Sequence, residues 1–339
     1  MRVLITGGTG FIGGHYLGHL RQHHPELRLF FSGRDLQKGH QLAAATGAHF
    51  YRGDLEDIAY CNLICKDVDV VVHCAGKSGI WGDYEAYYRA NVIPTEQLLA
   101  AALKNGVGRL VNLGSPSVYF DFNDHLNITE DYLPPRFADN YARSKYQAET
   151  RGQRAHCEQL RTLSLRPRFV VGPGDRTTLP RVIASHQRGQ LVQIGEGRNI
   201  VSMTSIDNLM QALDCAVLGP DEVCGDLYNI ADPDPVNLWD TINELLRLLA
   251  MPPMQHKLPY GIAYGLAAVT EAGMRVLRRR HEPVLTRHQV AIMGNSFTLN
   301  TDRAQRRLGY QPAYIFEQTL KGFVEWWRED AQCHYNALR

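Results

Sequence analysis

The chain has 339 residues, of which 44% are apolar and 21% charged, and its formal net charge is +1. This size and composition predict a globular protein with one large domain or two closely joined ones. A net charge this close to zero gives no support for a nucleic-acid partner or for electrostatic attachment to an anionic membrane.

The N-terminus and the cysteines indicate a cytoplasmic protein without a bound metal. The first residues, MRVLIT, are typical of a buried strand and leave no room for a signal peptide. The seven cysteines are an odd number without a dense framework. Neither a second cysteine pair nor a histidine cluster near Cys61 and Cys65 completes a zinc site. Reduced thiols in a cytosolic compartment are therefore expected.

A glycine-rich turn follows the first apolar run. In TGGTGFIG, Gly7, Gly10 and Gly13 stand three residues apart, between a strand-like segment and apolar residues at helical spacing. In a dinucleotide-binding turn the first glycine permits a tight bend, and the second lets the backbone approach a pyrophosphate. The third lets the helix pack closely on the strand. Phe11 and Ile12, at the helix start, are predicted to contact the same cofactor.

Strand-like and helical segments alternate along the first half of the chain. Apolar runs typical of strands occupy residues 27–31, 48–52, 69–76, 109–115 and 161–171, and helical stretches occupy 36–46, 84–104 and 141–159. This alternation predicts an α/β fold with a Rossmann-type, doubly wound parallel sheet. We expect residues 1–166 to form the dinucleotide-binding domain that carries the catalytic residues. Residues 167–339 should mainly form a smaller C-terminal substrate lobe, with some segments returning to the first domain.

The residues at the end of the second predicted strand, FFSGRD, bear on the choice of cofactor. NAD enzymes usually place a carboxylate about 20 residues beyond the glycines to bind the ribose 2′-hydroxyl. Here Ser32 stands at that position and Arg34 follows, and a hydroxyl with a guanidinium suits a 2′-phosphate. A strand that ended later would bring Asp35 to the same place. NADP(H) is therefore favoured, with NAD(H) as the alternative.

Two further segments follow strand ends, where ligands bind in open α/β sheets. In YRGDLED, Asp54 and Leu55 are predicted to contact the adenine, and an N-cap for the next helix explains Asp54 about as well. In HCAGKSGIWG, small residues let the backbone touch the cofactor, and the loop after them can reach the substrate. The predicted cofactor contacts there are Cys74, Ala75 and Gly76, and the predicted substrate contacts are Lys77, Ser78, Ile80 and Trp81.

Three polar residues form a candidate catalytic set. Tyr141 and Lys145, in DNYARSKYQAE, share one face of a predicted helix. Ser115, in VNLGSPSVY, follows the fifth strand at the same edge of the sheet. A lysine charge roughly 4 Å from the tyrosine, at an effective dielectric near 20, is worth up to about 4 kcal/mol, which would lower the tyrosine pKa by roughly three units. Ser115 would orient the substrate oxygen, and Tyr141 would exchange its proton as hydride moves.

In this order the motifs resemble those of the extended short-chain dehydrogenases, in the epimerase/dehydratase superfamily. The resemblance rests on TGGTGFIG, GDL, HCAG and YARSK, with Ser115 four residues before Tyr119, and it continues through LRPRFVVGPGD and LGYQP over nearly the whole chain. It implies that Tyr141 is the acid–base, Lys145 its helper and Ser115 the carbonyl clamp.

The resemblance also assigns three further positions. It implies that Asn91 holds a relay water, for which a capping or helix-bending role is an equal alternative. By the same analogy Pro167 and Val170 line the nicotinamide pocket.

Two departures from the family pattern concern the loop at Ser115. Gly114 stands where the family often has a first serine, and Ser117, after a proline, is a backup candidate for contacting the substrate. Phe120 replaces the usual glycine after the valine–tyrosine pair, which is expected to reshape the loop above the active site.

Within this family the segments KSGIWGDYEAYYRANV and LNTDRAQRRLGY look most like the 3β-hydroxysteroid dehydrogenase branch. That branch includes decarboxylating steroid dehydrogenases and bacterial reductases of 2-alkyl-3-keto acids. The resemblance implies an NADP(H)-preferring oxidoreductase acting on the CH–OH group or ketone of a bulky apolar substrate. A homodimer is expected.

Residues 258–280 are apolar over about the length that a bilayer requires, but they contain a proline, several glycines and an expected Glu271–Arg275 ion pair. An amphipathic cover over an apolar pocket is favoured over a membrane-spanning helix. A peripheral membrane contact, with Arg278–Arg280 at the headgroups, and an ordinary packing helix are the alternatives.

Two other functions use the same scaffold. A nucleotide-sugar epimerase would need a pyrophosphate clamp, for which the candidates are Arg176, Arg181, Arg188 and Arg198. Dehydration fits poorly because GSPSV has no carboxylate. A non-catalytic NADP-binding redox sensor is the third possibility, and the retention of both Tyr141 and Lys145 argues against it.

Overall fold

The computed structural model describes residues 1–276 and 285–337. The strands are β1 (Arg2–Thr6), β2 (Arg28–Gly33), β3 (His49–Arg52), β4 (Val70–His73), β5 (Arg109–Leu113), β6 (His125–Ile128), β7 (Arg161–Pro167), β8 (Val170–Val171), β9 (Gln193–Ile194), β10 (Ile200–Val201), β11 (Thr204–Ser205), β12 (Leu227–Ile230), β13 (Val236–Asn237), β14 (Lys257–Leu258) and β15 (Phe297–Leu299). The helices are α1 (Phe11–His23), α2 (Leu36–Thr46), α3 (Ile58–Cys65), α4 (Tyr84–Tyr87), α5 (Ile93–Asn105), α6 (Asn140–Ala155), α7 (Leu179–Gln187), α8 (Ile206–Leu218), α9 (Leu238–Leu248), α10 (Tyr260–Val276), α11 (Arg287–Gly294) and α12 (Phe316–Ala337).

Seven parallel strands form the central sheet in the order β12-β7-β5-β4-β1-β2-β3. The apolar interiors of β1, β4 and β5 are fully buried, as expected of parallel strands covered by helices on both faces. The predicted α/β doubly wound fold is therefore confirmed. The strand order reverses between β1 and β4, and the crevice at their carboxyl ends is where such sheets bind ligands.

Segments from the second half of the chain complete this domain. β12 pairs with β7 at the edge of the sheet, and α8 packs in the same apolar core as α1. The short turn Ala304–Leu308 contributes Ala304 and Leu308 to that core. The chain thus crosses from the smaller lobe back to the sheet more than once.

The smaller lobe has its own core and small sheets. Its buried side chains include Trp239 and Leu245 of α9 and Phe323 of α12, packed around α7 and α10. A four-stranded sheet, β13-β10-β15-β6, joins three strands from the second half of the chain to β6 from the first half. Asn237 accepts hydrogen bonds from the first N–H groups of α9 and so fixes where that helix begins.

Three local structures differ from the periodicity of the sequence. The predicted helix over 84–104 contains a π-helical turn, Tyr88–Val92, between α4 and α5. The helix predicted over 141–159 ends earlier, at Ala155. The strand predicted over 161–171 breaks after Pro167, because Phe169 has a left-handed backbone with φ of 42°.

α10 (Tyr260–Val276) lies within the apolar segment 258–280 of the sequence. It buries Ala263 and Ala267 against the lobe and exposes Ile262, Leu266 and Val269. Within the described ranges, no helix combines the length and apolar character needed to cross a bilayer. Glu271 pairs with Arg287 at 2.9 Å. The side chain of Arg275 and the basic run Arg278–Arg280 lie outside the described residues.

Candidate active site

The glycine turn has the geometry that a dinucleotide cradle needs. Gly7 has φ of 68°, and a Cβ there would lie 2.7 Å from the backbone nitrogen of Ala75. A Cβ on Gly13 would lie 2.5 Å from the carbonyl oxygen of Gly7, so the helix packs against the turn only without a side chain. At Gly10 a Cβ would meet only the Gly7 oxygen, at 3.1 Å, which leaves its outer face open. The steric surroundings of Gly7 and Gly13 exclude a side chain, and the contact of Gly10 with the cofactor stays a prediction.

The N-terminus of α1 is suited to a pyrophosphate. Its N-cap residue is Gly10, which supplies no capping side chain, and its first turn contains no acidic residue. The first N–H groups of a helix have no partner within the helix, and the helix dipole favours an anion there. Ile12 of this turn also lines the cavity that contains Tyr141, whereas Phe11 lines a groove along the outer face of α1. These residues fit a dinucleotide cofactor.

At the end of β2, the residues considered for binding a 2′-phosphate differ in their exposure and hydrogen bonds. Ser32 is 2% exposed and its hydroxyl hydrogen-bonds Tyr60, while Arg34 is exposed just beyond the strand. Asp35 accepts a hydrogen bond from the backbone N–H of Lys38 at 3.0 Å and thereby caps α2. Of the predicted 2′-phosphate ligands, Arg34 is the one whose polar group is open.

Asp54 does not cap the next helix, which corrects one of the two interpretations of that residue. The N-cap of α3 is Asp57, which accepts a hydrogen bond from the N–H of Ala59 at 2.8 Å. Asp54 instead accepts from the N–H of Glu56 at 3.1 Å and is exposed near the carboxyl end of β3. Leu55 beside it is buried in the core below the sheet.

Asn91 joins the loop after β4 to α6, the helix that carries Tyr141. Its Oδ1 accepts from the N–H of Lys77 at 2.7 Å, and its Nδ2 donates to the Lys77 carbonyl at 3.0 Å and to the Ser144 hydroxyl at 2.9 Å. A Cβ on Gly76 would lie 3.0 Å from Asn91 Oδ1. Cys74 and Ala75, the two residues before Gly76, are half-buried. Asn91 lies in the π-helical turn, a local irregularity frequent at functional sites.

The loop after β4 is held by Tyr87. Its hydroxyl donates to the carbonyl oxygens of Gly79 and Trp81 at 2.9 and 3.0 Å. The ammonium group of Lys77 lies 5.1 Å from the centre of the Tyr87 ring. Tyr87 thus shapes the segment that carries the predicted substrate contacts, a role that the sequence did not indicate.

Tyr141 and Ser115 are brought together at the carboxyl edge of the sheet. Burial raises the pKa of Tyr141, and its hydrogen bond with Ser115 offsets part of that shift. Ser115 Oγ also accepts from the N–H of Ser117 at 3.3 Å, which orients the short helical turn that follows. Asp139 is the N-cap of α6 and accepts from the N–H of Ala142 at 2.7 Å. This cap fixes the start of the helix on which Tyr141 lies.

Lys145 is buried one helical turn after Tyr141. Its ammonium group donates to the carbonyl oxygen of Leu113 at the end of β5. Burial lowers the pKa of Lys145, and the carboxylate of Glu149 opposes that shift. The pKa of Tyr141 is therefore raised in this structure, opposite in direction to the depression expected from Lys145, because burial is the largest influence on it.

The position of Glu149 explains why residue 114 has no side chain. A Cβ on Gly114 would lie 1.9 Å from Glu149 Oε1 and 3.1 Å from Arg166 Cγ. Glu149 and Arg166 form a buried ion pair at 2.6 Å, and Arg166 also donates to the hydroxyl of Tyr119. The serine that the family often has at this position would therefore collide with the buried pair.

Ser115 and Tyr141 open onto a cavity of about 440 Å³ between the sheet and the smaller lobe. Its wall is mainly apolar and includes Ile80, Phe120, Phe169, Val182, Met203, Leu238, Ile242, Leu245, Ile292 and Met293. Pro167 and Val170 also line it, together with Ser78 and Ser117. The Ser117 hydroxyl is buried without a hydrogen-bond partner among the described residues. Of the remaining predicted substrate contacts, Trp81 lines the adjoining cavity of about 790 Å³ and Lys77 lines neither.

A polar cluster on the cavity wall was not found by sequence reasoning. It consists of Arg168, Asp139 and His288, and all three side chains are buried or nearly so. Arg168 reaches the cavity because the strand breaks after Pro167, and His288 comes from α11 in a distant part of the chain. No local pattern links such positions. Outside the cavity, His19 and His24 at the end of α1 and Asp214 of α8 also place ligand atoms within 4.8 Å of one another.

Comparison with known proteins places the chain in a family. Residues 3–231 match the model of the NAD dependent epimerase/dehydratase family. A 2-alkyl-3-oxoalkanoate reductase of Stenotrophomonas maltophilia is 33% identical over 95% of this chain and 98% of its own. A decarboxylating sterol-4-alpha-carboxylate 3-dehydrogenase of Candida albicans is 30% identical over 97% of this chain and 98% of its own.

A solved structure shows the same fold. The UDP-glucuronic acid 4-epimerase of Bacillus cereus, solved in complex with NAD, superposes with a TM-score of 0.77 at 20% identity, covering 97% of this chain and 99% of the epimerase. The family match and the two sequence relatives together confirm the resemblance inferred from the motifs. The chain therefore belongs to the NAD dependent epimerase/dehydratase family.

Proposed function

We propose that the protein is an NADP(H)-preferring oxidoreductase that interconverts a secondary alcohol and a ketone on a bulky apolar substrate. The observation that carries this proposal is the cavity of about 440 Å³, onto which Ser115 and Tyr141 open opposite a mainly apolar wall. Such a wall suits the hydrocarbon part of a substrate, while the polar side chains placed in it can fix the substrate's orientation.

The chemistry follows from the positions of the side chains. When bound, the nicotinamide cofactor supplies the hydride to a ketone or accepts it from an alcohol. The Ser115 hydroxyl donates a hydrogen bond to the substrate oxygen, and the Tyr141 hydroxyl gives that oxygen a proton during reduction. The positive charge of Lys145, one helical turn away, stabilises the tyrosinate left by that transfer.

Asn91 serves as a positioning residue in this mechanism. Its hydrogen bonds to Lys77 and Ser144 hold the β4 exit loop and α6 together, so that Tyr141 keeps its place relative to the cavity. The buried hydroxyl of Ser117 is a second donor in reach of a ligand in the same cavity.

The preference for NADP(H) rests on Arg34. Its guanidinium is exposed just after β2, and Asp35 is turned toward the first N–H groups of α2 instead of toward a ribose. A guanidinium forms paired, charge-assisted hydrogen bonds with a 2′-phosphate. A neutral 2′-hydroxyl offers no charge for such a pair.

The relatives support an apolar substrate over a nucleotide sugar. Their names describe a 2-alkyl-3-oxoalkanoate and a sterol-4-alpha-carboxylate, both of which carry large hydrocarbon groups. The arginines considered for a sugar pyrophosphate do not converge. Of the four, only Arg181 lines the cavity, while Arg176 pairs with Asp330 at 2.9 Å and Arg188 hydrogen-bonds Gln190 at 3.0 Å.

The first experiment is to titrate the purified protein with NADPH and with NADH, following cofactor fluorescence. Oxidation of the preferred cofactor is then followed with bulky aliphatic ketones, 3-ketosteroids and UDP-sugars. Tighter binding of NADPH and turnover of an apolar ketone support the proposal. Preference for NADH with conversion of a UDP-sugar would favour the epimerase, and NADPH binding without any turnover would favour the redox sensor.

A further inference from the structure

We infer that Arg168 is the anchor for a carboxylate on the substrate, which makes the preferred substrate a 3-oxo or 3-hydroxy acid with a bulky apolar group. This inference rests on the oxidoreductase proposed above and narrows its substrate class. It concerns a side chain on the wall of the same cavity as Ser115 and Tyr141.

Arg168 is an unpaired cation in an apolar setting. Its side chain belongs to a residue that is 5% exposed, and its Nε and Nη2 have no hydrogen-bond partner among the described residues. The guanidinium carbon lies 4.1 Å from the centres of both the Phe169 and the Phe297 rings. Stacking between two rings holds the guanidinium plane in place but leaves its N–H donors unused.

Among the described residues, no acid forms an ion pair with Arg168, although Asp139 lines the same cavity. Burial alone lowers the pKa of Arg168, to about 9, without an opposing contribution from a carboxylate. A buried charge without a partner is costly, and proteins normally pair it or use it to bind a ligand. Arg166, two residues earlier, illustrates the paired case, since it forms a buried ion pair with Glu149.

The backbone at this position is also strained. Phe169 has φ of 42°, in the left-handed region that non-glycine residues rarely adopt. This residue ends β7 and separates it from β8, and it lines the cavity together with Arg168. Such strain is concentrated at functional sites, where it fixes a required geometry.

His288 provides a second donor next to the anchor. Its ring centre is 4.7 Å from that of Phe120, and its side chain lines the same cavity as Arg168. Its Nδ1 lies 3.2 Å from Asp139 Oδ2, but the angles do not form a hydrogen bond and both atoms are buried without a partner. A carboxylate bound at Arg168 would enter a cluster that still has unused donors.

The position of Arg168 on the cavity wall suits a substrate whose carboxylate is close to the carbon that exchanges the hydride. In a 3-oxo acid the carboxyl carbon is attached to the carbon next to the ketone, so one compact cavity must bind both groups. Ser115 and Tyr141 would hold the ketone oxygen, Arg168 the carboxylate, and the apolar wall the hydrocarbon. The two relatives are named for substrates of this type, an oxoalkanoate with its ketone at C3 and a sterol with a carboxylate at C4 beside the reacting C3.

The test compares an acid with its neutral ester in the direction of oxidation, with NADP⁺ as cofactor. The probes are 2-butyl-3-hydroxyoctanoic acid and its methyl ester, which differ only in the charge that Arg168 would bind. The enzymes are the wild type, Arg168→Met, Arg168→Lys and the control Arg188→Met, which removes an exposed arginine that does not line the cavity. Thermal melting of each variant checks that it folds.

The wild type should prefer the acid, in kcat/KM, by about 10-fold or more, as charge-assisted hydrogen bonds require. Arg168→Met should lower kcat/KM for the acid about 10- to 100-fold and for the ester less than about threefold, which abolishes the preference. Arg168→Lys keeps the positive charge but loses the planar pair of N–H donors. Its decrease in kcat/KM for the acid should therefore be smaller than that of Arg168→Met. Arg188→Met should leave both values close to those of the wild type.

Equal turnover of acid and ester by the wild type would overturn the anchor while leaving the oxidoreductase intact. Equal losses on both probes in Arg168→Met would also overturn it, because Arg168 would then act only on the shape of the cavity. If the wild type oxidises neither probe nor any other apolar alcohol, the proposed function and the anchor are both rejected. Should Arg168→Met fail to fold, the wild-type preference and Arg168→Lys still decide the question.

Discussion

Replacing Gly114 with alanine tests why this chain departs from the two-serine pattern. The new Cβ would lie 1.9 Å from Glu149 Oε1, so the carboxylate must move by more than about 1 Å to reach a normal contact distance of roughly 3.2 Å. Glu149 and Arg166 are 1% and 3% exposed, and no solvent can replace the hydrogen bonds that such a movement breaks.

The expected cost follows from the contacts of the pair. Arg166 donates to both carboxylate oxygens of Glu149, at 3.0, 3.1 and 2.6 Å. Disrupting a buried ion pair typically costs about 3–5 kcal/mol because a desolvated charge is left without its partner. We therefore expect Gly114→Ala to lower the free energy of unfolding by about 3 kcal/mol or more. Because Ser115 is the next residue, turnover should fall as well.

Urea denaturation of wild type and variant measures this change, read from the midpoint at unchanged slope. The matched control is Gly152→Ala on α6, where a Cβ would meet nothing within 4 Å and where alanine favours the helix by up to about 1 kcal/mol. In a Glu149→Ala background most of the effect of Gly114→Ala should disappear. A loss below about 1 kcal/mol for Gly114→Ala in the wild-type background would refute the steric explanation.

Three further outcomes are expected. Tyr141→Phe should lower kcat about 10²- to 10⁴-fold, whereas its Kd for NADPH, measured by fluorescence, should change less than about threefold. A fully active variant would exclude Tyr141 as the acid–base. Arg34→Gln should weaken NADPH binding about 10-fold and leave NADH binding nearly unchanged, and equal effects on both cofactors would contradict a 2′-phosphate contact. Burial raises the pKa of Asp139 to about 6, so the native protein holds this proton more tightly than the unfolded chain does. Its contribution to stability is therefore present below about pH 4 and lost as the pH rises through 6, by about 2–3 kcal/mol. Urea midpoints should accordingly show Asp139→Asn gaining stability over the wild type between about pH 4 and pH 8, and a constant difference would disprove this.

The sheet and the cofactor turn could be predicted because their signals are local. Gly7, Gly10 and Gly13 lie within one turn of chain, and each has a steric role that depends on its immediate neighbours. The alternation of strands and helices is equally local, and parallel strands necessarily bring their carboxyl ends to one edge. For the same reason Ser115, after β5, and Tyr141, on the next long helix, could be placed together from the sequence.

Several features depended on contacts between distant segments. The Lys145 ammonium group donates to the carbonyl of Leu113, and burial raises the pKa of Tyr141, where proximity along the helix predicted a lower value. The absence of a side chain at Gly114 has a reason only once Glu149 is folded against it. Spacing along the chain carries no information about either contact.

The chain by itself determined the fold class, the glycine turn for the cofactor and the positions of the proposed catalytic residues Ser115 and Tyr141, because short-range periodicity and chain topology are sufficient for these. The tertiary structure decided the character of the substrate cavity. There a left-handed Phe169 interrupts an apolar run and leaves Arg168 on the wall, beside His288 from a distant helix. The physical reason is that burial of a charge is a property of everything packed around it, whereas a helix or strand is specified mainly by its own residues.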